Sequence, residues 1–266
     1  MARHLADKRA KRANKSNPRE ERNSPEYRQN RRGRGAEVVD LDEARSANTR
    51  RKRVEIIPRN LSQETYIDEL SDENKSIVFA MGPAGCGKTL LATLYAIQCL
   101  QNGTAAKIVL TRPAVSVDEQ HGFLPGSLIE KMAPWVIPIM DVFKEYYSPQ
   151  QIEKMMMDEI IEIAPLAYMR GRTMKNCIVI ADEMQNSTVS QTKMVLTRIG
   201  ENCRMIITGD LRQHDRGFEK NGLADFTQRL ARSGSKRIAV VDFGPADVER
   251  HPVIEEILEL YGDEDI

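Results

Sequence analysis

The chain has 266 residues, 41% of them hydrophobic and 29% charged, enough for one large domain with a buried core. No apolar run approaches the roughly 18 residues of a membrane span, and the polar opening MARHLADKRAKRANKS lacks the apolar stretch of an export signal, so a cytoplasmic protein without membrane contact is expected. Lys plus Arg and Asp plus Glu each number 39, yet residues 1–53 hold 17 of the basic residues and 8 of the acidic ones, leaving 22 and 31 for the remainder.

Residues 1–53 contain one aromatic, Tyr27, and basic clusters at Arg31-Arg32-Gly33-Arg34 and Arg50-Arg51-Lys52-Arg53. So little apolar surface cannot offset the entropy of ordering, and the segment reads as a disordered basic arm ahead of a domain at 54–266. The arm suits the phosphate backbone of a nucleic acid, although a solubilising leader has the same composition. Cys86, Cys99, Cys177 and Cys203 stand far apart without CxxC spacing. They read as ordinary reduced thiols rather than a zinc site or a disulfide framework.

From residue 54 onward, short apolar runs alternate with longer amphipathic stretches, the pattern of an α/β fold with a mostly parallel sheet flanked by helices. Strands are expected at 76–81, 107–111, 160–164, 177–181, 205–208 and 237–241. Residues 88–101 and 188–199 space their apolar side chains as helices, stopping at Gly103 and Gly200. A third helical stretch, 127–147, carries Pro134 and Pro138, which predict a break or kink. No internal repeat is present.

Gly82-Pro83-Ala84-Gly85-Cys86-Gly87-Lys88-Thr89 satisfies GxxxxGK[ST], with a strand before it and a helix after it. Glycines at this spacing let backbone amides curl around phosphates, Lys88 supplies positive charge, and the Thr89 hydroxyl suits Mg²⁺. A chance glycine-rich turn would not be followed by lysine, hydroxyl and helix in that order. Downstream, the apolar run Ile178-Val179-Ile180-Ala181 ends in Asp182 and Glu183. Asp182 is assigned to the metal and Glu183 to polarising the attacking water. Taken alone, the two acids could equally be loop solvation. Met205-Ile206-Ile207-Thr208-Gly209-Asp210-Leu211-Arg212-Gln213 is a third strand that ends in polar groups. Thr208, Asp210 and Gln213 are assigned to sensing the terminal phosphate, against the alternative of a plain strand-to-loop turn.

These three segments resemble superfamily 1 helicase cores. The phrases Thr111-Arg112-Pro113-Ala114, Gly122-Phe123-Leu124-Pro125-Gly126, Ala164-Pro165-Leu166-Ala167-Tyr168-Met169-Arg170-Gly171-Arg172-Thr173 and Leu196-Thr197-Arg198-Ile199-Gly200 are similar to the PhoH family of phosphate-starvation-inducible P-loop ATPases. The resemblance implies a RecA-like core, Mg²⁺-dependent ATP hydrolysis, single-stranded RNA as a partner and a homo-oligomer, with a hexameric ring as one form of it. The family usually has Thr where this chain has Cys86, which adds sensitivity to oxidation. Asn60-Leu61-Ser62-Gln63-Glu64-Thr65-Tyr66 resembles the glutamine motif with which helicases read adenine, so Gln63 is a candidate for the base and Tyr66 for stacking or packing. The other reading makes Asn60 or Ser62 a helix cap and leaves Gln63 in solvent. Arg172 and Arg250 are the candidates for an arginine acting on a neighbouring subunit's ATP. Thr111-Arg112-Pro113 corresponds to a helicase position that touches nucleic acid. An ATP-switched RNA adaptor and a small-molecule phosphotransferase are the alternative functions.

Overall fold

A computed structural model describes residues 52–113, 128–213, 221–249 and Val253. The arm before residue 52, part of the 122–159 insertion and Arg250 lie outside the described residues. In chain order the elements are α1 (Leu61–Ser71), β1 (Ile77–Met81), α2 (Lys88–Asn102), β2 (Lys107–Thr111), α3 (Leu128–Lys144), α4 (Pro149–Met157), β3 (Ile161–Ile163), β4 (Cys177–Ala181), α5 (Val189–Leu196), β5 (Arg204–Gly209), α6 (Gly222–Ser233) and β6 (Ile238–Asp242). Among the described residues no helix is long and apolar enough to cross a membrane.

All six strands run parallel, in the order β3-β2-β4-β5-β1-β6. Each expected strand is present within a residue or two of its expected ends. β1 and β4 are buried along their whole length, because helices cover both faces of the sheet. The period of two sorts their side chains. Val78, Ala80, Ile108, Leu110, Ile178, Ile180 and Ile206 meet apolar residues of α1, α2, α3 and α4. Phe79, Val109, Val179, Ala181, Met205 and Ile207 meet α5 and α6. Burying one such Val, Ile or Phe contributes about 1.5–3 kcal/mol. On the second face Phe79 stacks on Phe226 at 5.3 Å between centroids.

The helix ends follow from local chemistry. Gly103 takes φ 72° after α2, and its amide and that of Thr104 satisfy carbonyls of the last turn. Ser148 with Gln151, and Thr188 with Gln191, form capping boxes at the starts of α4 and α5. α5 ends earlier than its apolar spacing suggests. The Thr197 hydroxyl and Arg198 Nε both donate to the Met194 carbonyl, and the chain then turns into a bridge between Met174 and Ile199. Of the break or kink expected at Pro134 and Pro138, the break is not found: α3 is one helix through both. The two prolines are four residues apart, so the amides they lack fall on one side and the other rows of hydrogen bonds carry the helix past them.

Chain direction at β1 fixes where the site lies. After β1 the chain runs through α2 to β2, passing over β5 and β4, while β6 returns to the other side of β1. A parallel sheet with such a reversal has a crevice beyond the C-terminal ends of its strands. β5 separates β1 from β4, so the ends of all three meet there.

Candidate functional site

The loop after β1 is shaped by three glycines with positive φ: Gly82 at 143°, Gly85 at 89° and Gly87 at 84°. Gly82 has a second constraint, since a Cβ there would lie 2.4 Å from the Phe243 carbonyl oxygen. Phe243, just beyond β6, donates its amide to the Met81 carbonyl at 2.7 Å, and the Glu249 amide reaches the Gly85 carbonyl at 3.2 Å. The far end of the domain therefore forms a wall behind the loop. Lys88 Nζ donates to the carbonyls of Gly82 and Pro83, each at 2.7 Å. Phosphate oxygens would compete with those two carbonyls for the ammonium. Pro83 has no amide to offer a phosphate, so its part is this carbonyl. The Cys86 thiol is fully buried and donates to the same carbonyl at 2.9 Å; burial raises its pKa above the ordinary thiol value, and the nearby Lys88 opposes this.

Asp182 and Glu183 follow β4. The Thr89 hydroxyl donates to Asp182 Oδ1 at 2.8 Å, and the Thr208 hydroxyl of β5 donates to the same oxygen. Asp182 is 7% exposed, and among the described residues no Lys or Arg forms a salt bridge with it. A nearly buried carboxylate without a cation, joined to the loop threonine, fits Mg²⁺, a hard ion that takes one or two protein oxygens and completes its shell with phosphates and water. Thr89 and Asp182 are the residues that would hold it. Glu183 adopts left-handed backbone, φ 52°, in a tight turn. Gln185 then ties Glu183 to the end of β5: its Nε2 donates to Glu183 Oε2, and its Oε1 accepts the Asp210 amide at 3.1 Å. Asp210 Oδ1 in turn accepts the Arg212 amide at 2.9 Å. A cleft of about 320 Å³ is lined by Lys88, Thr89, Asp182, Glu183, Asp210 and Gln213, together with Ala84, Gly85, Gly87 and Thr208.

Gln185 was not assigned a role from the sequence, although its position two residues after Glu183 was the available signal. Other candidates lie elsewhere. Asn60 caps α1, accepting the Gln63 amide at 2.9 Å. Gln63 is 5% exposed, not in solvent; its side chain accepts the Arg59 amide at 2.9 Å and donates to the Cys86 carbonyl at 3.3 Å. It braces the loop from beneath, and among the described residues it is not part of the cleft lining. Tyr66 packs rather than stacks on a base: it is fully buried, edge-on to Phe243 at 5.8 Å. Burial first, then the nearby Asp182 and Cys86, holds its phenol well above the usual tyrosine range. Arg172 lies outside the cleft lining in a two-pronged ion pair with Glu162, which Lys107 also joins. Arg198 donates to the Arg172 carbonyl at 3.4 Å. Thr111 is 2% exposed at the end of β2, and its carbonyl accepts the Asp182 amide at 2.9 Å.

A parallel sheet, a glycine-rich loop opening a helix, and a hydroxyl and carboxylate joined across an intervening strand define a P-loop nucleoside-triphosphate-binding protein. The chain belongs to the PhoH family, whose model, described as PhoH-like protein, matches residues 55–262. It is 41% identical over 233 residues to a PhoH-like protein of Synechocystis sp., covering 86% of this chain and 69% of the relative. It is 44% identical over 205 residues to a PhoH-like protein of Bacillus subtilis, covering 76% and 63%. With Protein PhoH of Escherichia coli K12 the identity is 40% over 210 residues, covering 77% and 58%. The chain thus spans roughly three fifths to two thirds of these relatives' lengths.

Proposed function

We propose that the protein is a Mg²⁺-dependent ATPase that acts on single-stranded RNA. The observation that carries the ATPase reading is the pairing of Thr89 and Asp182 beside Glu183 and Lys88 in one cleft. Lys88 leaves the Gly82 and Pro83 carbonyls for the phosphates, and the amides of the loop and of the start of α2 surround their oxygens. The Glu183 carboxylate accepts the proton of the attacking water, and the Gln185 amide fixes its position. Mg²⁺, when bound, neutralises charge on the phosphate oxygens. Thr208, hydrogen-bonded to Asp182, and Asp210, whose amide donates to Gln185, sense loss of the terminal phosphate.

RNA as partner rests on the basic balance of residues 1–53 and on Arg112, partly exposed at the end of β2 beyond the cleft. Deleting residues 1–53 lowers RNA affinity and flattens its dependence on salt; an unchanged slope removes the arm from binding. A homo-oligomer, in which Arg172 or Arg250 of one copy reaches the nucleotide of the next, is proposed on the need for a positive charge opposite the transferred phosphate. Mixing Lys88→Ala subunits with Arg172→Ala or Arg250→Ala subunits then restores part of the turnover. No rescue by either arginine variant, with mixing demonstrated, overturns the shared site.

Phosphate release with and without single-stranded RNA tests the main reading. Lys88→Ala abolishes tight ATP binding, whereas Glu183→Gln keeps ATP and loses turnover by about 10²–10⁴-fold. Unaltered turnover in Glu183→Gln rejects its role as base. RNA binding without any ATP turnover in the unmodified protein would establish the switched adaptor instead.

A further inference from the structure

Cys177 opens β4 and Cys203 immediately precedes β5. The register pairs Ile178 with Arg204, so one residue earlier the two cysteines are neighbours across adjacent parallel strands. Both side chains belong to the α5 and α6 face of the sheet, and their sulfurs are 3.7 Å apart. We propose that Cys177 and Cys203 form an oxidisable dithiol, a modification site that a peroxide closes to a disulfide.

Three observations support the site. Adjacent strands lie about 4.8 Å apart, which falls within the roughly 4.4–6.8 Å between Cα atoms that a disulfide spans. From 3.7 Å the sulfurs need to close by only about 1.7 Å to reach bonding distance. Cys203 also lines a groove at the N-terminal ends of the strands, which brings a small oxidant up to the sulfur pair although Cys203 is only 8% and Cys177 2% exposed. Finally, Cys177 is the sulfur with cations close by, Lys107 and Arg172. Its contact with the Cys203 sulfur, with Lys107 and Arg172 nearby, holds its pKa below the ordinary thiol value against burial and Glu162. Cys203 is pushed the opposite way by the same contact. In the chemistry this implies, the Cys177 thiolate attacks one peroxide oxygen, breaking the O–O bond, and becomes a sulfenic acid while the other oxygen leaves as hydroxide. Cys203 sulfur then attacks Cys177 sulfur, forms the S–S bond and expels a second hydroxide. The two thiol protons convert both hydroxides to water, so the dithiol loses two electrons and hydrogen peroxide gains them.

Cys86 provides the internal contrast. Its thiol is fully buried, bonded to a carbonyl and raised by burial, so it ionises less readily than Cys177. The dithiol lies at the opposite end of the strands from the nucleotide cleft and does not depend on the proposed function. The test uses the full chain, reduced, freed of reductant, exposed to hydrogen peroxide, denatured and alkylated with N-ethylmaleimide, then mapped by mass spectrometry without reduction. The expected product is a joined Cys177 and Cys203 peptide pair, two hydrogens lighter than its parts and separated by dithiothreitol, with Cys86 and Cys99 alkylated. In Cys203→Ser the sulfenic acid on Cys177 has no resolving thiol and is captured by dimedone. Free Cys177 and Cys203 under conditions that oxidise Cys86, or the same joined peptide from chain treated in urea, would overturn the proposal.

Discussion

The two ends of the sheet handle charge in opposite ways. At the N-terminal ends of the strands, cations and acceptors are matched within the chain. Arg204 donates to the Leu70 carbonyl, the Tyr95 hydroxyl and the Asp72 carbonyl, and Glu162 is shared by Arg172 and Lys107. At the C-terminal ends, Asp182 is satisfied by hydroxyls alone and Lys88 rests on backbone carbonyls. Backbone strain does not divide so cleanly, since Glu159, just ahead of β3, takes φ 54°. Asn176 and Asn202, at the N-terminal ends, take φ 52° and 51°, a conformation that asparagine tolerates, and their side chains bond to each other at 3.0 Å. Glu183, at the other end, takes φ 52° without that tolerance. Polar groups matched inside the chain build the fold, and those left for an outside partner mark where chemistry takes place.

The contrast can be broken at either end. The largest effect is expected from Gly82→Ala, where both φ and the Phe243 carbonyl at 2.4 Å oppose a methyl group. It costs roughly 3 kcal/mol or more in urea unfolding and loosens the loop's grip on nucleotide. Near-normal stability with intact ATP binding would show that the wall behind the loop yields easily. Arg204→Ala is the counterpart at the other end, removing three donated bonds at a cost of about 2–3 kcal/mol. Nucleotide affinity, measured by titration at a temperature where the variant is folded, stays unchanged. A large loss of affinity would mean that the two ends are not independent.

The smallest effect concerns pH. The Arg172 guanidinium, aided by Lys107, holds Glu162 down at about 2 from an ordinary 4.5. A depressed carboxylate stabilises the folded chain above its unfolded pKa and loses that contribution as pH falls, here between about 4.5 and about 2. The pair is partly exposed, so its contribution is under about 1 kcal/mol. Arg172→Met flattens stability against pH across that window, and an unaltered profile would place the main support of Glu162 elsewhere.

The strands were legible because β-branched runs bounded by turn residues, such as Cys177–Ala181, have few other uses. The phosphate loop was legible because its spacing is local. What remained hidden depends on contacts between distant segments. Gln63 shares the spacing of an adenine-reading glutamine, but only packing puts its amide against the Cys86 carbonyl. Nothing near Arg172 in sequence announces its bond to Glu162 of β3. Cys177 and Cys203 looked unrelated until the register of β4 and β5 brought their sulfurs together. The prolines of α3 show the opposite case, a local rule for breaking a helix overridden by the rest of its hydrogen bonds.

The wall behind the phosphate loop also dictates an order of events during synthesis. The loop at 82–89 leaves the ribosome long before Phe243, whose carbonyl and amide close around Gly82 and Met81, and before Glu249, which reaches Gly85. A nascent chain ending short of β6 thus carries the complete motif without its mould. Competence to hold a triphosphate arrives late in translation, when the sixth strand docks beside the first, and fragments broken off earlier would carry the signature without the grip.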